Sequence, residues 1–170
     1  MSMVGNFLLV SDNEIAALLA APDTVHELLD RRVYEAESPT DYVDVDKTWH
    51  ALHFLLNESA WDGAPPLNFI AVGGEPVGDE DVGYGPARAL RAHEVTSLHQ
   101  ALERLDLSTL LERFDGPRMD ALEIYQSPGW AEYDPWADTN FAYFSRAYED
   151  LRALVRKGAR SGRGILIWLS

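Results

Sequence analysis

The chain has 170 residues, 46% of them hydrophobic and 25% charged, which is balanced for a globular chain able to bury a core without disulfides or structural metal. A formal net charge of −14 repels phosphate backbones and anionic membrane surfaces, so neither nucleic acid nor a membrane is the expected partner. There is no cysteine, which excludes disulfides, thiol nucleophiles and Cys-type zinc sites and fits a reducing, cytoplasmic location.

Residues 4–10 form a short apolar run and read as the first strand. The N-terminus has no basic stretch before it and is expected to be neither a signal peptide nor an anchor. Ser11 and Glu14 then make a capping box, and Ile15, Leu18 and Leu19 give a helix that stops at Pro22. Val25, Leu28 and Leu29 predict a second short helix. Residues 35–42 read as a polar connection.

The next stretch combines the strongest burial signal with the most titratable chemistry. Asp44 or Asp46 is placed as the N-cap of a helix over 46–56. Trp49, Leu52, His53 and Leu56 share one face of it, and His50 is placed near its rim. A loop with Trp61 and Pro65-Pro66 follows, and residues 67–72 read as a strand. Residues 75–86 are acidic and rich in Gly and Pro, so they read as a loop. Residues 87–90 predict a short strand and 93–105 a helix. Residues 107–114 and 119–125 predict two more short helices, with Asp115-Gly116-Pro117 as a break between them. Trp130, Tyr133 and Trp136 fall in a loop. The longest helix spans about 138–157 with Phe141, Phe144, Tyr148, Leu151 and Val155 as its stripe, and residues 165–169 form a terminal strand. No repeat or linker divides the chain. Strands at both ends with helices between them predict one α+β domain over 1–170, with a small mixed or antiparallel sheet and several helices packed against it.

The run Asp44-Val-Asp46-Lys47-Thr-Trp49-His50-Ala-Leu52-His53-Phe54 resembles the signature of the YfbM-like bacterial proteins, a family of unknown function. Met3-Val-Gly5, the loop from Gly73 through Gly83-Tyr84-Gly85-Pro86-Ala-Arg88, and the final Ile165-Leu-Ile-Trp168-Leu agree with it in order. Tyr125-Gln-Ser-Pro128-Gly-Trp130 departs from it, where a tighter turn is expected. The resemblance implies a small, soluble, cytosolic α+β domain and carries over no catalytic residue.

Each chemical reading has an ordinary alternative. Asp44, Asp46, His50 and His53 are suitable metal ligands, but no zinc-type spacing is complete, and capping and core packing explain them as well. Asp79, Glu80 and Asp81 could hold a hard cation, yet position twelve of a calcium loop counted from Asp79 is Leu90, not Glu. The glycines around Tyr84 match no phosphate or dinucleotide fingerprint. No Gly-x-Ser-x-Gly occurs. Trp61, Trp130 and Trp136 are either contact anchors or lids over the core. Neither a catalytic set, a metal site nor a cofactor is therefore assigned. The leading expectation is a non-enzymatic binding or interaction module, in one version immunity- or antitoxin-like, whose partner is a protein with a basic surface. The rival is a small-molecule enzyme or sensor with a pocket between helix 46–56 and loop 75–88. The binding candidates across both readings are Asp46, Lys47, His50, His53, Tyr84, Arg88, Trp61, Trp130 and Trp136.

Overall fold

The first strand, Gly5–Val10 (β1), is buried along its whole length in the computed structural model, which describes residues 2–170. Phe7 and Leu9 enter one hydrophobic cluster, and Leu8 and Val10 enter another on the opposite face. A strand buried on both faces reads as a continuous apolar run, and that is how this one reads in the sequence. On one side β1 pairs with Tyr42–Asp44 (β2), and on the other with Gly164–Leu169 (β5). Pro86–Leu90 (β4) adds to β5, and Glu75–Asp81 (β3) lies outermost beyond it. The order is β2-β1-β5-β4-β3 and every pair is antiparallel. Gly5 sits opposite Leu169, so segments from the two ends of the chain form the central pair.

Helices cover both faces, giving an α+β fold. On one face lie Asp12–Ala20 (α1), Val25–Leu29 (α2) and a π-helical turn, Asp30–Tyr34. They bury Ile15, Leu18, Val25, Leu28 and Val33 against Leu8, Leu166 and Trp168. The Ser11 capping box forms: Glu14 N–H donates to Ser11 Oγ at 3.1 Å, and Ser11 N–H to Glu14 Oε2 at 2.7 Å. The other face carries Trp49–Asn57 (α3), Ala92–Leu102 (α4), Leu107–Leu111 (α5), Gly116–Ala121 (α6) and Asp138–Ser161 (α7). On α7, Phe144, Tyr148, Leu151 and Val155 are buried at helical spacing. Gly158 continues that stripe. A Cβ there would come 2.8 Å from Leu9 Cδ2 and 3.1 Å from Val95 Cγ1, so a larger residue would have to push buried side chains aside for α7 to lie this close to β1. No helix of the described residues is long and apolar enough to cross a membrane.

Several expectations change. Residues 67–72 are not a strand: Leu67–Ile70 is a 3₁₀ turn. A short apolar run does not distinguish buried helix from buried strand by period alone. Here the helical form is held from outside, because Arg88 Nη2 donates to Ile70 O at 2.7 Å and Nη1 to Phe69 O at 3.0 Å. The acidic Glu75–Asp81 segment is not a loop but strand β3. Only Val77 on it is buried, and the pairing with β4 shifts register between Pro76 and Asp81. Charge, proline and irregular register are tolerated on an edge strand because its outer side carries no ladder. Strand β2 begins at Tyr42, the last residue of the expected polar connection, and runs through Asp44, one of the two expected caps. Gly116 and Pro117 start α6 with Asp115 as cap, and the preceding helix has already ended at Leu111. Asp46 does not cap α3. It has φ 49 and opens a 3₁₀ turn, Asp46–Thr48, which leads into Trp49.

Candidate functional site

Helix α3 is buried on every side from Trp49 to Leu56, a pattern that belongs to an interior helix. His50 is therefore not at a rim; it is 1% exposed. Its Nδ1 accepts from Tyr125 N–H at 2.9 Å, so the neutral ring must carry its proton on Nε2, which donates to Ala60 O at 2.8 Å. Both nitrogens are thereby occupied, leaving no lone pair for a metal or a substrate proton. Burial lowers its pKa, partly opposed by the Ala60 carbonyl. The ring stacks on Trp49 at 4.7 Å, with Trp61 against it at 4.4 Å.

His53 is completely buried, and burial is the main cause that lowers its pKa to about 4, with His50 adding to the effect. Asn57 Nδ2 lies 3.3 Å from Nδ1, and Nε2 has no hydrogen-bond partner. A neutral imidazole packed in the core fits both facts. Arg88 is likewise committed. Besides Phe69 and Ile70 it donates to Gly73 O, and burial lowers its pKa to about 10. It is an internal clamp on three carbonyls.

The loop tryptophans divide. Trp130 is a lid: its Nε1 donates to Ile124 O at 3.1 Å, and its ring meets Phe114 and Tyr133. Trp61 and Trp136 are 55% and 50% exposed. Tyr84 is exposed at the β3–β4 turn, its backbone N–H bound to Leu169 O at 3.0 Å. The expected pocket between α3 and residues 75–88 would need His50, His53 and Arg88 to converge with free polar atoms. Their atoms are instead turned inward to the core and to backbone partners.

Of the candidates, Asp46 and Lys47 remain at the surface beside a groove. This groove, about 320 Å³, lies between β2 and α7, with Asp44 and Asp46 on one wall and Tyr143, Arg146, Ala147 and Asp150 on the other. Tyr143 Oη donates to Asp46 Oδ2 at 2.9 Å, and burial together with Asp46 raises the phenol pKa. Asp44 Oδ1 accepts from Asp46 N–H at 3.2 Å. A second hollow of about 240 Å³ continues it along Tyr42, Val43 and Asp150 to Lys157. There Asp41 meets Lys157 and Arg163, the latter at 2.7 Å; these cations, Arg163 first, pull the Asp41 pKa down to about 2. Asp150 has Arg146 at 4.0 Å. Three carboxylates, Asp44, Asp46 and Asp150, thus face one arginine at the open end, which gives that end a negative potential.

Sequence reasoning did not find Tyr143, Asp150 or Asp41 as members of this surface. Tyr143 and Asp150 reach it from far along the chain, Asp41 borders β2 directly, and nothing local marks any of them. It also missed Asp120, whose two oxygens accept from the backbone N–H groups of Gly129, Trp130 and Ala131 at 2.9–3.1 Å and fix the Trp130 loop. A further cavity of about 490 Å³ lies between Pro65-Pro66 and His93, Glu94 and Ser97. Among the described residues no three of His, Asp and Glu form a metal-binding cluster.

A family model described as a domain of unknown function (DUF1877) matches residues 1–168. Protein YfbM of Escherichia coli strain K12 is 29% identical over 169 residues, spanning 98% of this chain and 97% of its own length. The crystal structure of YfbM from Escherichia coli, a protein of unknown function, matches with a TM-score of 0.69 at 24% identity, covering 98% of this chain and 99% of that one. At that identity the structural likeness is one of fold.

Proposed function

The chain belongs to the DUF1877 family, whose function is unknown, and we propose that it acts in the bacterial cytoplasm as a binding module for a protein with a basic surface. One observation carries this reading: the candidates His50, His53 and Arg88 are bonded or buried inside, while Asp44, Asp46, Asp150 and Tyr143 are gathered on an open groove. Surface carboxylates in excess over neighbouring cations steer and select a cationic partner. Trp61 and Trp136, both half exposed, suit contact anchors elsewhere on the surface. Blocking a basic active site, as an immunity protein or antitoxin does, is one form this role takes.

Affinity capture from the source cell with the wild type and with an Asp44→Asn/Asp150→Asn variant tests the reading. A stoichiometric basic partner recovered by the wild type and lost by the variant is expected. Equal recovery by both, or no partner under several salt conditions, counts against it. The small-molecule reading rests on the 490 Å³ cavity beside Pro65-Pro66, whose lining mixes Val72 and Leu90 with Asn68, His93 and Glu94. A thermal-shift screen against metabolites and nucleotides separates the two readings.

A further inference from the structure

We propose that the outer edge of β2 receives an extended, Lys/Arg-bearing segment of the partner protein as a sixth strand, laid in the trough between β2 and α7. This deepens the preceding reading and rests on it.

The register defines what the edge offers. Leu9 N–H donates to Asp41 O at 2.8 Å and Val45 N–H to Gly5 O at 2.9 Å, with Val43 opposite Phe7 between them. Residues 41, 43 and 45 therefore turn their backbone groups toward β1. In an antiparallel pair the alternate residues turn theirs away, so Tyr42 and Asp44 direct N–H and C=O outward. No strand pairs with that side, because β2 ends the sheet. The two hollows run along this edge and share Tyr42, Val43 and Asp150.

The helix beside the edge leaves room. The α7 residues facing the trough include Ala147 and Ala153, one turn to either side of Asp150. Small side chains there keep α7 from filling the space that a neighbouring strand, about 4.8 Å away, would take. The opposite edge of the sheet is different. β3 carries Pro76 and the run Asp79-Glu80-Asp81, and Pro22 packs on Gly78, where an added Cβ would lie 2.6 Å from Pro22 Cβ. Those are features that block strand addition. β2 has no proline, and two outward residues present up to four hydrogen-bonding groups, enough to register a segment of about four or five residues.

Charge selects the occupant. Asp44, Asp46 and Asp150 outnumber Arg146 at the open end, on a chain of net charge −14. A second copy of this chain brings the same carboxylates to the same edge and is repelled, whereas an extended segment with alternating basic side chains is attracted.

The probe is a ten-residue peptide of alternating arginine and threonine, titrated into isotope-labelled full-length protein. At saturation the amide hydrogens of Tyr42 and Asp44 should gain at least about tenfold protection from exchange. N-methylation of the peptide at the alternate residues that face β2 should weaken binding about tenfold, and methylation in the other register should not. Asp44→Asn/Asp150→Asn should weaken the unmodified peptide, while neutralising Asp79 and Asp81 by Asn, the same change in charge elsewhere, should not. If both methylated registers bind alike, or the two amides gain no protection, strand addition is overturned, and the groove reading stands provided Asp44→Asn/Asp150→Asn still weakens binding. No binding below millimolar peptide, or equal loss from both charge variants, overturns the strand and the groove together. Concentration-dependent protection of Tyr42 and Asp44 without peptide makes a second copy the occupant and overturns the proposal.

Discussion

Tyr143 and Asp46 are joined by a 2.9 Å hydrogen bond from the phenol to the carboxylate, between the first turns of α7 and the turn that enters α3. The bond fixes one end of the acidic groove, and its length sets how firmly the two walls are held. Tyr143→Phe removes it while keeping the ring packed. The expected loss is about 0.5–1 kcal/mol, because Asp46 stays near water and can be resolvated. Urea unfolding of the variant against wild type measures this; a loss above about 2 kcal/mol would mean the phenol holds more than this one bond.

Arg88 is expected to behave as a structural residue. Arg88→Ala strips donors from the carbonyls of Phe69, Ile70 and Gly73 and should cost about 3 kcal/mol. Arg88→Lys should recover little, since a single ammonium cannot span the planar fork. A fully stable Arg88→Lys in thermal unfolding would contradict the clamp.

Acid should weaken the fold first through the α3 histidines. Burial holds His53 at about 4 against an ordinary 6.5, and His50 is shifted in the same direction. Below pH 6.5 the unfolded chain binds a proton that the native ring refuses, so this stability is complete above 6.5 and lost as pH falls toward 4. For His53 the loss is on the order of 3 kcal/mol. Unfolding free energies of wild type and His53→Leu at pH 7 and pH 5 provide the check: the variant should lose less on acidification.

A second acid limb should lie lower. Asp41 is held at about 2, below its ordinary 3.8, by Arg163 and Lys157. Its contribution is complete above pH 3.8 and disappears as pH falls through 2. Asp41→Asn should cost about 2 kcal/mol at neutral pH and flatten that limb. Asp41 is largely shielded, with 18% side-chain exposure, so added salt should erode this contribution less than it erodes the exposed Arg146–Asp150 pair.

Legibility in the sequence followed from how far each residue's partners lay. β1, β5 and α7 were readable because burial on fixed faces imposes a local pattern: unbroken apolar residues over Phe7–Val10, and Phe144, Tyr148, Leu151 and Val155 at helical spacing. β2 and β3 were not readable. As edge strands they bury little, and β3 is mostly charged. The 3₁₀ turn at Leu67–Ile70 was hidden because hydrogen bonds to two of its carbonyls come from Arg88, on strand β4. The same reason limits the site. The α3 stretch showed histidines in a burial pattern, but what occupies His50 is the backbone of Ala60 and Tyr125. The groove exists only once α7 lies beside β2, and no local motif announces that meeting.

The central pair of the sheet has a consequence for biogenesis. β1 leaves the ribosome long before its partner β5, with Gly5 facing Leu169. Until β5 is made, the apolar strand β1 waits with one ladder unmade and both faces in search of cover. Pairing between Gly5 and Leu169 closes a very long loop, so folding is expected to be slow and cannot complete before β5 has emerged. A stalled or prematurely terminated product would display the Phe7–Val10 edge to chaperones and proteases. Quality control therefore has a clear signature to read, because only a chain made through β5 can hide that strand.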